Sequence, residues 1–210
     1  MSFCQAPRAL LGLFAFLAWT AAGAASGSQL FATCAACHGG KGEGMATTHA
    51  PAIAGQSAAY LKRQLLNFRS GLRGAHQADA YGAQMRVVAA TLRDDAAASA
   101  VADYVAALPK TTVKPAPGAD LHNGNNLYQG KCGACHGVRA DGNASLSTPR
   151  LAGLDAAYLR RQYQHFGAGV RGAHPGDRYG KQMAMMARSL PTAKDLDDVI
   201  AYIHASGAAR

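Results

Sequence analysis

Apolar residues recur at helical spacing in matching stretches of the two halves of the chain, and no convincing pair of alternating strands interrupts them. Tyr60, Leu61, Leu65 and Phe68 share one helical face, as do Tyr158, Leu159 and Phe166. Ser57 and Asp155 suit the N-caps of these helices, and Gly71 and Gly167–Gly169 suit their ends. A last helix follows in each half. In the first it starts near Thr91 and lines up Val101, Tyr104, Val105 and Leu108. In the second Pro191 fits the first turn, and Leu196, Val199, Ile200 and Ile203 carry the stripe. A leading helix is expected over Ser28–Cys37 and again over Asn126–Cys135, while Tyr81–Met85 and Tyr179–Met183 read as loops. The expected fold is all-α.

These elements form one unit used twice. An offset of 98 positions carries Cys34 onto Cys132, Pro51 onto Pro149, Gly55 onto Gly153 and Ala58-Ala-Tyr-Leu61 onto Ala156-Ala-Tyr-Leu159. The same offset relates Arg73-Gly-Ala-His76 to Arg171-Gly-Ala-His174, Gln84-Met85 to Gln182-Met183 and Tyr104 to Tyr202, with roughly four positions in ten identical and no insertion or deletion required. Between the copies, three prolines in Leu108–Gly118 mark an extended linker. The expected division is residues 26–108 and 122–210 as two domains, joined by 109–121.

Residues 1–25 read as a cleaved signal peptide. Arg8 supplies the positive start, Leu10–Trp19 an uncharged core, and Ala21–Ala25 a small-residue cleavage site near Ala24. The apolar core is shorter than the ~20 residues that span a bilayer, so export to the periplasm is expected. Cys4 leaves with the leader, and four cysteines remain. The formal charge is +9, one less without Arg8. A basic exported chain is steered towards acidic protein surfaces or anionic lipid. With no basic-aromatic motif in the chain, nucleic acid is not an expected partner.

All four remaining cysteines lie in Cys34-Ala-Ala-Cys37-His38 and Cys132-Gly-Ala-Cys135-His136. C-x-x-C-H is the attachment signature of c-type haem. Cysteines one helical turn apart each form a thioether to a porphyrin vinyl group, and the adjoining histidine faces the iron. A redox dithiol would need a βαβ setting that is missing. A zinc ribbon would place its second pair ~15–20 residues on, far nearer than Cys132 is to Cys34. Two covalent haem c groups are therefore expected, bound through Cys34, Cys37, Cys132 and Cys135, with His38 and His136 on iron.

The sixth iron ligand decides the chemistry. Met85 and Met183 are related by the offset, and a thioether there blocks the position where O₂ or substrate would bind. His76 and His174, also related by the offset, are the rival pair, and an open or mixed arrangement is the third reading. Met45, Met185 and Met186 read as core fillers. Around the haems, the carbonyls of Pro51 and Pro149 are placed to accept from the histidine Nδ1. Arg73, Arg171, Tyr60 and Tyr158 either contact propionates or line the core.

With its paired C-x-x-C-H motifs, P-x-[IL]-A-G segments, A-A-Y-L-x-R-Q helix starts, paired methionines and tyrosine-bearing last helices, the chain resembles the dihaem cytochromes of the cytochrome c4 type. That resemblance implies tandem class I cytochrome c domains packed about a pseudo-twofold axis. It implies His38 and His136 as proximal ligands and Met85 and Met183 as distal ones. It also implies a periplasmic electron carrier, not an enzyme, that links respiratory donors to a membrane complex or terminal oxidase. The alternatives are the cytochrome subunit of a periplasmic dehydrogenase or, further off, a dihaem enzyme of the peroxidase or thiosulfate-oxidising kind.

Overall fold

The computed structural model describes Met1 and residues 25–208. The expected leader, with Arg8, Cys4 and the cleavage site, lies outside the described residues. The first half contains α1 (Gly27–His38), α2 (Ala58–Ser70), α3 (Ala80–Ala90) and α4 (Asp95–Ala106). The second contains α5 (Leu121–Tyr128), a π-helical turn (Gln129–Gly133), α6 (Ala134–His136), α7 (Ala156–Gly167), α8 (Arg178–Met186) and α9 (Ala193–Ala208). No sheet forms among the described residues, where β-pairing is limited to the isolated bridges Met45–Ala50 and Asn143–Thr148. None of the described helices is long and apolar enough to cross a membrane.

Side-chain caps start nearly every helix. Ser26 and Gln29 exchange bonds in a capping box at α1. Ser57 and Asp155 cap α2 and α7, and Gly71 ends α2 in the left-handed region at φ 79°. Asp94, not Thr91, caps α4. Thr192 and Asp195 exchange bonds at the head of α9, so Pro191 stands outside that helix. Asp120 caps α5, which starts before the expected Asn126.

Where the sequence predicts loops at Tyr81–Met85 and Tyr179–Met183, the structure has helices α3 and α8. Gly82 and Gly180 look like helix breakers, but each is needed for close approach. A Cβ on Gly82 would lie 2.1 Å from Asp79 Oδ2, and one on Gly180 would lie 2.0 Å from Asp177 Oδ2. Those buried aspartates cap the two helices through the amides of Gly82 and Gly180, both at 2.9 Å. The methionines expected as core fillers are instead at the surface: Met45, Met185 and Met186 are exposed, as is Val87. Val87 and Met185 face outward from the short helices α3 and α8, while Met45 lies in extended chain before a 3-10 turn.

The offset of 98 also fails upstream of the cysteines. A Cβ on Gly27 would meet Ala100 O and Tyr104 Cβ, and one on Gly124 would meet Asp198 O and Tyr202 Cβ. Likewise Phe31 packs on Tyr104 and Tyr128 on Tyr202, both with ring centres 5.4 Å apart. Gly27 with Gly124 and Phe31 with Tyr128 give an offset of 97. One extra residue in the second copy is thus accommodated as the π turn, while α1 runs unbroken to His38.

Each half packs its first helix on its last around Phe31, Leu61, Val101 and Val105, or around Tyr128, Val199 and Ile203. Across the junction the contacts come in reciprocal pairs, as a twofold interface requires. Arg73 donates to Tyr158 Oη (3.0 Å) and Gln162 Oε1 (3.2 Å), and Arg171 to Gln64 Oε1 (3.0 Å). Two contacts break the symmetry. Gln56 donates to Arg150 O (2.6 Å) and accepts from Arg150 N (3.0 Å), where the second half has Leu154. His165 lies 3.8 Å from Asp79, where the first half has Asn67.

Candidate haem sites

Each half holds one cavity, bounded on one side by its C-x-x-C-H helix and on the other by its methionine-bearing helix. The first is lined by Cys34, Cys37, His38, Pro51, Phe68 and Met85, among others, and the second by Cys132, Cys135, His136, Pro149, Phe166 and Met183. Both cavities open to solvent and are walled mainly by apolar side chains, as the faces of a macrocycle require. Tyr60, Gln64, Tyr158 and Gln162 line both cavities and form the wall between them.

Cys34 and Cys37 lie one turn apart on α1 and form no disulfide, and Cys132 and Cys135 follow the same spacing. Keeping that face towards the cavity fixes the next side chain, His38 or His136, in the wall, where both histidines are buried. His38 Nδ1 lies 2.8 Å from Pro51 O, and His136 Nδ1 lies 3.1 Å from Pro149 O. A carbonyl only accepts, so Nδ1 carries the proton and Nε2 keeps its lone pair. Burial pushes both imidazoles below their ordinary pKa, against the opposing pull of the carbonyl bonds. The arrangement presents a neutral, oriented nitrogen donor to each cavity.

On the far wall Met85 and Met183 lie partly buried on α3 and α8. The rival pair does not reach the cavities. His76 and His174 are exposed, and their Nδ1 atoms accept from the amides of Ala78 (3.1 Å) and Gly176 (3.0 Å). Arg73 and Arg171 each line a cavity, bond their own Gln64 or Gln162 at 2.7 and 2.6 Å, and leave Nε without a partner. Tyr60 and Tyr158 stand beside them in the dividing wall. Sequence reasoning missed Gln64, Gln162, Asp79 and Asp177 as structural members of the sites, although all four obey the repeat.

The cytochrome c family model matches residues 24–109 and again residues 121–206. Cytochrome c4 from Azotobacter vinelandii is 31% identical over 204 residues, covering 89% of this chain and 90% of its own. The chain belongs to the dihaem cytochrome c4 family. Among solved structures, reduced recombinant cytochrome c4 from Pseudomonas stutzeri superposes with a TM-score of 0.69 at 28% identity, covering 85% of this chain and 95% of its own. A protein described as a thiosulfate dehydrogenase electron acceptor, from Stutzerimonas stutzeri, is 33% identical and covers 81% of this chain and 84% of its own.

As a cytochrome c4, the chain carries two covalently attached haem c groups, and the residues present fit them. Each cavity offers a thiol pair at vinyl spacing, a neutral imidazole aimed from one wall and an apolar lining. Each also has a buried guanidinium with an unpartnered N–H, suited to an anionic propionate. The protein is a dihaem electron carrier.

Proposed function

We propose that this cytochrome c4 is a periplasmic carrier that takes single electrons from respiratory donors and delivers them to a terminal acceptor such as an oxidase. Two iron sites, each closed on both faces, pass electrons and make or break no bonds. The supporting observation is the pairing in each cavity of a carbonyl-held histidine with a methionine on the opposite wall. Haem supplies a one-electron iron couple when bound. Cys34, Cys37, Cys132 and Cys135 fix it covalently, and His38 and His136 donate Nε2. Met85 and Met183, on the opposite walls, would supply the second protein ligand to each iron and so keep external ligands out. Arg73 and Arg171, with Tyr60 and Tyr158 beside them, neutralise and hydrogen-bond the propionates.

Replacing Met85 or Met183 with Ala tests this reading. Each change is expected to remove about half of the near-infrared band of methionine-bound ferric haem and to lower one reduction potential. It should also let the reduced protein bind carbon monoxide at that haem, which the unaltered protein should not do. An unchanged spectrum in both variants would sink the assignment.

A second reading fixes the donor. The relative described as a thiosulfate dehydrogenase electron acceptor favours a periplasmic dehydrogenase as the electron source, with this chain as its soluble acceptor or cytochrome subunit. Purification from the native host, followed by assay for co-eluting dehydrogenase, separates a bound subunit from a free carrier.

A further inference from the structure

Besides Arg73 and Arg171, two more arginines reach out of their own halves. Arg63 on α2 donates through Nη2 to the carbonyl of Ser147 at 2.7 Å, and its guanidinium lies 4.1 Å from the ring centre of Tyr179. Arg161 on α7 makes the mirror contacts, with the carbonyl of His49 at 3.1 Å and the ring of Tyr81 at 4.6 Å. Both targets in each pair belong to haem-binding pieces of the opposite half. Tyr179 and Tyr81 stand one turn before Met183 and Met85 on α8 and α3. Ser147 and His49 adjoin Thr148 and Thr48, whose hydroxyls donate to the carbonyls of Cys135 and Cys37.

The carbonyls that accept from the arginines are presented under strain. Ser147 and His49 adopt φ of 56° and 54°, a left-handed conformation that is unfavourable for a non-glycine residue. Such conformations persist where the surroundings over-determine them, and a guanidinium arriving from the other half is one such constraint. Each arginine thus joins the cysteine-motif loop and the methionine helix that enclose one haem, from outside that haem's own domain.

We infer that Arg63 is a positioning residue for the haem of the second half, and Arg161 for the haem of the first. Each acts by holding the distal methionine helix against its own cysteine loop. The inference deepens the reading of Met85 and Met183 as axial ligands and rests on it. A thioether is a soft ligand on hard ferric iron, so the bond tolerates little wandering of its helix. Integrity of one domain is then felt at the iron of the other.

The test uses holoprotein in two backgrounds, Met85→Ala and Met183→Ala, in which the surviving near-infrared band reports one haem. In the Met85→Ala background, Arg63→Ala should at least halve the second haem's band, or bleach it at lower temperature and lower pH. In the Met183→Ala background the same change should leave the first haem's band intact. Arg161→Ala should do the converse. Arg63→Lys keeps the charge but loses the planar fork, and it should resemble Arg63→Ala. Should the arginine variants fold poorly, Tyr179→Leu removes the same contact and should reproduce the loss at the second haem only.

Band loss at the same-half haem, equal loss at both, or full rescue by lysine would overturn the crossed role and leave the methionine ligands standing. If Met85→Ala and Met183→Ala themselves leave the band whole, the ligand assignment and this inference fall together.

Discussion

A single hydrogen bond sets the chemistry of each histidine. The Pro51 and Pro149 carbonyls decide which nitrogen of His38 and His136 keeps its lone pair, and the prolines were legible because the offset repeats them at equal distance from each motif. The buried aspartates at the methionine helices were equally repeated but went unread, because Gly82 and Gly180 look like breakers when the close approach that requires them is unseen. Asp79→Ala should cost about 0.5–2 kcal/mol as a lost cap, measured by chemical denaturation. It should also weaken the methionine band of the first haem. Gly82→Ala should cost about 1–3 kcal/mol through overpacking, since its Cβ would meet Asp79 Oδ2 at 2.1 Å and Gly74 Cα at 2.7 Å.

Helix identity was mostly readable from apolar spacing, and helix boundaries were not. The stripes along α4 and α9 are buried as expected at Val101, Val105, Val199, Ile200 and Ile203. The π turn is masked in the sequence because the cysteine motifs and the repeated segments after them keep an offset of 98. Gly27 with Gly124 and Leu30 with Leu127 would have given 97. Deleting Gly130, around which a Cβ would meet nothing, should let α5 run unbroken into the motif. That variant is expected to fold, attach both haems and match the parent's melting temperature within a few degrees, as read by circular dichroism and haem staining.

The same α5–α9 contact carries a pH signature. Lys194, Asn123 and the amide of Asp120 hold the Asp198 carboxyl down to about 2, against the opposing push of burial. A depressed carboxyl stabilises the fold fully above its ordinary value of ~3.9 and loses that contribution as pH falls towards 2. The stability gap between the parent and Asp198→Asn should therefore be constant near neutrality and close in acid, as followed by denaturant midpoints from pH 6 down to the edge of folding.

At the scale of the molecule, the reciprocal contacts make two similar domains into one body, while Gln56–Arg150 and His165–Asp79 make its halves unequal. The repeat announced two copies, but which side chains would cross between them was invisible. Arg63, Gln64 and their counterparts sit on faces of α2 and α7 that carry no apolar stripe, and Arg73 and Arg171 sit in the loops that follow those helices. The net charge was plain from composition, and it predicts that reduction of an acidic partner slows as ionic strength rises. Screening shortens from ~30 Å at 0.01 M to ~8 Å at 0.15 M salt, and stopped-flow rates should fall over that range. Rates indifferent to salt would indicate an apolar contact.

The connecting segment is fastened where it leaves the first half. Thr111 accepts from Arg150 at 3.1 Å and donates to the carbonyl of Gly153 at 3.3 Å, and Lys110 lies close against Gly55. A covalent join of this kind keeps each half at an effective concentration of roughly millimolar for the other, so the crossed arginines need little affinity of their own. A proteolytic nick beyond Thr111 would abolish that local enrichment, and two fragments diluted to nanomolar should drift apart, each keeping its colour but losing its neighbour's grip.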